Sequence, residues 1–247
     1  MSESLALGHW DLLLMGVVAL QGGVLAYLRA PRWKALAMSL PFPYTTIALS
    51  LERPVDATHP LAMLAMLAYI HSVRLLYQRA RLPIPLAILL AVGVYSGVGL
   101  GLLRWGAGIG FWPATALALA AGLVAYRLTP KPAEPDYRTP LPVWLKVPAV
   151  LAVVFGLVQV KGVLQGFSTL FPLMGVVGAY EARHSLWAVA RQVPVLMLAM
   201  APMMAAAYLT QQRLGLAGGL AVGWVALVVV LAAFTYLHRS PQSQGKA

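Results

Sequence analysis

Leu40-Pro41-Phe42-Pro43-Tyr44-Thr45-Thr46-Ile47-Ala48-Leu49-Ser50-Leu51-Glu52 is an apolar stretch that carries proline near its start and ends in a carboxylate. Phe171-Pro172-Leu173-Met174-Gly175-Val176-Val177-Gly178-Ala179-Tyr180-Glu181 follows the same plan. Phe, Pro and Glu recur at one offset of 129 residues (171 − 42, 172 − 43, 181 − 52). An ionisable group at the end of an apolar run is costly in hydrocarbon and marks a functional position by default. A doubled, Pro-interrupted, acid-ended segment points to a paired-repeat membrane protein with a polar site between the copies.

The surrounding composition agrees. Of the 247 residues, 60% are hydrophobic and 10% charged, and the mean hydropathy is +0.78. Soluble domains carry about 25% charged residues. The fold class is an all-α polytopic membrane protein, a single membrane domain. A span needs about 20 apolar residues, and nine segments qualify: 10–28, 35–51, 60–78, 83–103, 109–126, 144–160, 163–180, 193–210 and 214–237. Lys161 separates the sixth from the seventh, so one of that pair can be short or re-entrant, leaving eight spans as the alternative. The first apolar run reads as a retained helix, because no basic residue precedes Arg29. Residues 240–247 read as a disordered tail.

The net charge of +11 does not indicate nucleic-acid binding, since Lys and Arg sit in short loops between apolar runs. With the N-terminus outside, Arg53, Arg104 and Arg213 fall outside, Lys161 is unassigned, and the other 14 of the 18 basic residues fall on the cytoplasmic side. The positive-inside bias therefore predicts N-out, C-in. Segments 10–103 and 144–237 become two four-helix repeats around a linking helix, 109–126. With an odd number of spans between their starts, the second copy is inverted, placing Glu52 toward the outer face and Glu181 toward the inner. Gly93, Gly97 and Gly101 in the fourth segment, and Gly215, Gly219 and Gly223 in the ninth, give both units a closing helix with small residues at every fourth position.

Glu52 and Glu181 are the first candidates for binding a solute, proton or cation; the plainer reading makes them helix ends at the interface, paired with Arg53 and Arg183. Pro43 and Pro172 remove amide donors and free carbonyls at membrane depth. Thr45 and Thr46, and Ser168 and Thr169, are placed to satisfy those carbonyls or to line a polar cavity. Arg183 and His184 follow Glu181 as Arg53, Asp56 and His59 follow Glu52. His71 and Arg74 share one helical face, with Arg74 able to snorkel. No metal motif, nucleophile elbow or haem-ligating pair is present, and without cysteine there is no thiol chemistry. Neither catalytic residues nor a cofactor is predicted.

The stretches Leu40 to Glu52 and Phe171 to Leu186 resemble uncharacterised bacterial inner-membrane proteins whose Pro-rich membrane segments end in acidic or Glu-Arg groups. That resemblance implies a bacterial inner-membrane location. The expected function is a small secondary transporter or permease with its polar site at the repeat interface. The alternative is a non-catalytic subunit or assembly factor binding partner helices. The expected partners are the lipid bilayer, a small solute or ion, and a homo-oligomer or membrane complex.

Overall fold

Proline and glycine punctuate the helices. In the computed structural model, which describes residues 9–28, 40–106, 108–130 and 164–237 together with 148, 151, 152, 155 and 156, regular structure is helical throughout the described residues. In chain order these are α1 (His9–Tyr27), α2 (Phe42–Leu51), α3 (Thr58–Arg74, continued by a π-helical turn Leu75–Arg79), α4 (Ile84–Trp105), α5 (Phe111–Leu128), a 3-10 turn (Gln165–Leu170), α6 (Leu173–Glu181) and α7 (Leu186–Leu237). Pro43, Pro60, Pro85 and Pro113 lie in the first turns of α2 to α5, and Pro172 immediately precedes α6. The first-turn amides of a helix have no intrahelical acceptor, so proline sits there at little cost.

This punctuation revises two expected spans. Segments 35–51 and 163–180 are not continuous helices. Residues 40–41 and 171–172 are non-helical, and each is followed by a helix of only 10 or 9 residues. Hydropathy predicts a span because it does not register that each proline begins a helix rather than kinking one. Segment 144–160 and the tail 240–247 lie largely or wholly outside the described residues.

Among the described residues four stretches are long and apolar enough to cross a membrane: Thr58–Arg79, Ile84–Trp105, Phe111–Leu128 and Leu186–Ala233, with the shorter apolar helix His9–Val24 beside them. The chain is a multi-pass membrane protein by helix length and hydropathy. The longest stretch is folded on itself. Gly215, at φ 71° and ψ 174°, breaks α7 into two arms. A Cβ on Gly219 would lie 3.0 Å from the Ala207 carbonyl oxygen, and one on Gly223 would lie 2.7 Å from that of Met203. The arms therefore pack antiparallel at backbone distance, the use expected for small residues every fourth position. The other glycine stripe behaves differently. Gly93 and Gly97 have nothing within 4 Å of a Cβ, and Gly101 meets only Trp105 of its own helix. The two stripes are thus not equivalent, and their offset (215 − 93 = 122) differs from that of the Phe-Pro pair.

α3 is central, packing on α4, α5, α6, α7 and the 3-10 turn. Tyr69, Ile70 and Val73 of α3 and Met197, Met200 and Met204 of α7 form its buried surroundings. Leu86, Leu89, Leu90, Val94 and Leu100 of α4 are exposed, a face suited to lipid rather than water.

Candidate functional site

The two Phe-Pro elements meet head to head. α2 runs away from its prolines to Glu52, and the following loop is tied to the hinge end of α7, where Val55 pairs with Gln211. α6 runs away from Pro172 to Glu181, and the chain then enters α7, where Trp187 lies under the Arg74 guanidinium, 3.6 Å from its ring centre. Val55 and Arg74 mark opposite ends of α3, so the C-termini of α2 and α6 point to opposite ends of the bundle. The start of α2 and the 3-10 turn with Phe171, just ahead of α6, line a half-open pocket of about 50 Å³ through Pro41, Pro43, Tyr44, Thr169, Leu170 and Phe171, with Met66, Leu196 and Met200 completing its wall. A second cavity of about 40 Å³, also touching Met66 and Leu196, is lined by Tyr69, Gly175, Val189, Gln192 and Val193. Met66 is halfway along α3, and Met200 halfway along the first arm of α7. The meeting point is at mid-bundle.

Side chains from several helices hold the non-helical backbone. The Gln21 amide of α1 donates to the Leu40 carbonyl at 3.1 Å. The Tyr95 hydroxyl of α4 donates to the Phe167 carbonyl at 2.6 Å. Thr45 and Thr46 donate back to the carbonyls of Pro41 and Phe42, and Thr169 donates to that of Gly166. Each of these hydroxyls bonds a carbonyl three or four residues back on its own element, and Thr169 lines the pocket at the start of α2 as well. The 3-10 turn approaches α3 so closely that a Cβ on Gly166 would overlap the Thr58 hydroxyl.

Two aromatic contacts link the elements crosswise. Tyr95 of α4 packs edge-on against Phe171, with centroids 5.5 Å apart. Trp224, on the second arm of α7, packs against Phe42 at 5.0 Å, and its indole N–H donates to the Thr45 hydroxyl at 2.9 Å. Tyr95 and Trp224 are themselves 129 residues apart (224 − 95), as are Phe42 and Phe171. Each Phe-Pro element is held by a ring at the matching offset in the other half of the chain.

The carboxylates lie away from this centre. α2 has 10 residues, so at about 1.5 Å per residue Glu52 is roughly 15 Å beyond the cavity. Glu52 is exposed, at φ 52°, capping α2 with its N–H on the Leu49 carbonyl. Glu181 is 2% exposed at the far end of α6. Arg183 is half-buried, donating to the Tyr180 carbonyl, and His184 is exposed. Pro43, Thr45 and Thr46 therefore sit near the start of α2, where Pro43 lines the pocket, and Pro172 sits just ahead of α6, while Glu52, Glu181, Arg183 and His184 lie toward the far ends of these helices.

The loop after Glu52 forms a compact polar knot. Asp56 Oδ1 accepts from the Thr58 amide and hydroxyl. His59 Nδ1 lies 3.2 Å from both the Asp56 amide and Oδ1; neutral and bare it accepts from the amide, protonated it donates to the carboxylate. Burial pushes the Asp56 carboxyl up, but the hydrogen bonds from His59 and Thr58 and the charge of His59 outweigh it, holding the group at about 2.

Sequence reasoning missed several members of the site: Gln21, Tyr44, Tyr69, Tyr95, Gln192 and Trp224. It missed Asp11 too, which is 5% exposed and accepts from the Ser50 hydroxyl at 2.8 Å. Asp11 and Gln21 carried a signal, being polar residues in the first apolar run. The tyrosines carried none, because a Tyr in a membrane segment reads as an interfacial ring. Comparison with protein-family models, curated proteins and solved structures finds no match to this chain.

Proposed function

We propose that the protein is a small secondary transporter of two inverted repeats, with its site where the N-termini of α2 and α6 meet. The observation that carries this reading is the exchanged pair of aromatic contacts, Tyr95 with Phe171 and Trp224 with Phe42, at one shared offset. Coincidence does not account well for two ring pairs that are both equivalent by sequence and reciprocal in space. Broken helices at the midplane, with irregular backbone facing a cavity, are how inverted-repeat transporters build solute sites. Alternating access follows if each half rocks against the other around the fixed centre.

The distribution of arginine supports N-out insertion. Arg74, Arg79, Arg81, Arg127, Arg183 and Arg191 gather at the end of the bundle opposite to Arg53, Arg104 and Arg213. The resemblance noted for the two Phe-Pro stretches favours a bacterial inner membrane. Since the chain has no cysteine, Ala80→Cys and Gln212→Cys report the two ends separately. Labelling of the Ala80→Cys variant from the periplasm would reverse the orientation.

The deciding experiment is reconstitution in vesicles with a panel of solutes under imposed pH and ion gradients. Saturable flux that falls in both Tyr95→Ala and Trp224→Ala is the expected result. A protein that inserts and purifies normally but moves nothing in the panel returns the alternative, a membrane subunit binding partner helices.

A further inference from the structure

We infer that the arginine-rich end of the bundle seats the headgroup of an anionic phospholipid between α3, α5 and α7, at Arg74 and Arg191. The seat is independent of the transport reading above and of which leaflet that end faces. The three helices pack on one another pairwise. The Arg74 guanidinium of α3 lies over the Trp187 ring of α7, 3.6 Å from its centre. The Arg191 guanidinium of α7 lies over the Tyr126 ring of α5 at 4.6 Å, and its Nη1 donates to the Thr129 carbonyl. Trp187 and Arg191 are four residues apart on α7 and so share one helix face. Each guanidinium is thus steadied by a ring from a neighbouring helix, and both lie along that face of α7.

Stacking occupies the flat face of a guanidinium and leaves its N–H edge for acceptors. At Arg74 the protein supplies none. Its Nε has no hydrogen-bond partner, and among the described residues no carboxylate or carbonyl meets the group. Arg79, at the end of the same span, adds a further cation. Four acidic side chains lie among the described residues. Asp11, Glu52 and Asp56 belong to the opposite end, where Asp11 accepts from the Ser50 hydroxyl. Glu181 lies toward the arginine-rich end but is 2% exposed. Arg74 and Arg191 are half-buried, and Arg79, Arg81 and Arg127 are exposed. Among the described residues, the surface of this end therefore carries positive charge without a carboxylate to balance it.

Depth selects the partner. Arg74 is five residues before the end of the span Thr58–Arg79, and Arg191 five after the start of Leu186–Ala233. At about 1.5 Å per residue, each is about 7 Å inside its span. Trp and Tyr near span ends sit at headgroup level. A soluble acidic protein or nucleotide does not reach between helices at that depth, whereas a lipid phosphate lies there. The neighbouring surface is apolar, since Leu75 beside Arg74 and Leu123, Val124 and Leu128 around Tyr126 are exposed. Acyl chains thus find a place next to the phosphate. A phosphodiester presents paired oxygens that a guanidinium fork takes bidentately. Basic pockets between membrane helices hold anionic headgroups in this way. A zwitterionic lipid brings its own cation toward two guanidiniums and is disfavoured.

The test is native mass spectrometry of the purified protein in detergent, titrated with phosphatidylglycerol or phosphatidylcholine. Wild type is expected to retain phosphatidylglycerol about tenfold or more over phosphatidylcholine. Arg74→Gln combined with Arg191→Gln should abolish that preference. Arg104→Gln combined with Arg213→Gln, at exposed arginines of the opposite end, should keep it. Arg74→Lys preserves the charge without the planar fork and should weaken the preference severalfold, a readout that does not depend on the double variant folding. Equal retention of the two lipids by wild type overturns the seat. So does a preference that survives both Arg74→Lys and the Arg74–Arg191 pair, or one that falls equally in the Arg104–Arg213 pair. Displacement of the lipid by inorganic phosphate at matched concentration makes free phosphate the ligand and overturns the lipid assignment.

Discussion

Gln211 pairs with Val55 through both ends of its amide: the Val55 N–H donates to Oε1 at 2.7 Å, and Nε2 donates to the Val55 carbonyl at 2.9 Å. A side chain on α7 thereby completes the hydrogen bonding of a buried residue 156 positions away, as a neighbouring strand does in a sheet. Val55 is 1% exposed, so water is a poor substitute. This bond fixes the loop after α2 to the hinge end of α7.

Gln211→Ala is therefore expected to destabilise the protein by about 2 kcal/mol, as a buried amide and carbonyl both lose their partners. Gln211→Glu keeps an acceptor for the Val55 N–H but loses the donor, and should fall between the two. Thermal unfolding in detergent reads the order, and equal melting of Ala and wild type would show that the pairing contributes nothing.

The glycines separate by position. Gly223→Ala pushes a methyl toward a backbone oxygen 2.7 Å away and is expected to cost about 1–3 kcal/mol through overpacking. Gly93→Ala meets open space and adds helix propensity of up to about 1 kcal/mol. Melting temperatures should move in opposite directions, and a loss at Gly93 would mean that its stripe has a partner.

These contrasts show what the sequence could carry. The doubled Phe-Pro and Glu marked both short helices, and the glycines of the last segment marked a close helix pair. The pattern did not distinguish a proline that starts a helix from one that bends it, so segments 35–51 and 163–180 read as spans. Charge drew attention to Glu52 and Glu181, although among the described residues none that lines the pocket at the start of α2 is charged. Tyr44 and Tyr69 gain meaning only from the neighbours that tertiary packing gives or withholds, and a local pattern cannot encode that.

Gly215 holds φ 71° with ψ 174°, a region open essentially to glycine alone, and nothing lies within 4 Å of a Cβ there. Gly215→Ala is expected to cost about 1–3 kcal/mol from backbone strain without any clash. Asn, which tolerates the left-handed helical region, should not rescue it, because ψ lies outside that region. Full stability of the Asn variant would indicate that the hinge relaxes into another turn.

Asp56 sets a pH dependence. Its carboxyl falls from an ordinary 3.8 to about 2 on folding, so the folded state favours the charged form. Its contribution is complete above about pH 4 and is lost as pH drops through about 2. The melting-temperature gap between wild type and Asp56→Asn should be open at about pH 6 and narrow steadily below about pH 4. A gap that stays constant to about pH 2.5 would count against the Asp56–Thr58–His59 knot as its source.

Glu52 and Glu181 should not respond alike. Glu52 is exposed, and Glu52→Gln is expected to shift stability by less than about 0.5 kcal/mol and leave flux intact. Glu181 is buried toward the other end, where an ionisable group is costly unless used. Glu181→Gln is expected to slow pH-gradient-driven flux about tenfold or more while the protein still inserts normally. Equal flux in both variants would remove the carboxylates from coupling.

The crossed rings bear on how such a chain can be divided. The ring against Phe42 comes from Trp224, and the ring against Phe171 from Tyr95, so in both cases the aromatic ring on the Phe-Pro element comes from the other half of the chain. A chain cut between residues 130 and 164 parts each Phe-Pro element from its ring. If the halves are the inverted repeats proposed above, a protein made of one such unit would find the missing ring in a second copy lying upside down beside it. On the inverted-repeat reading proposed above, joining two units in one polypeptide would secure that opposite-facing companion and free the unit from having to insert both ways.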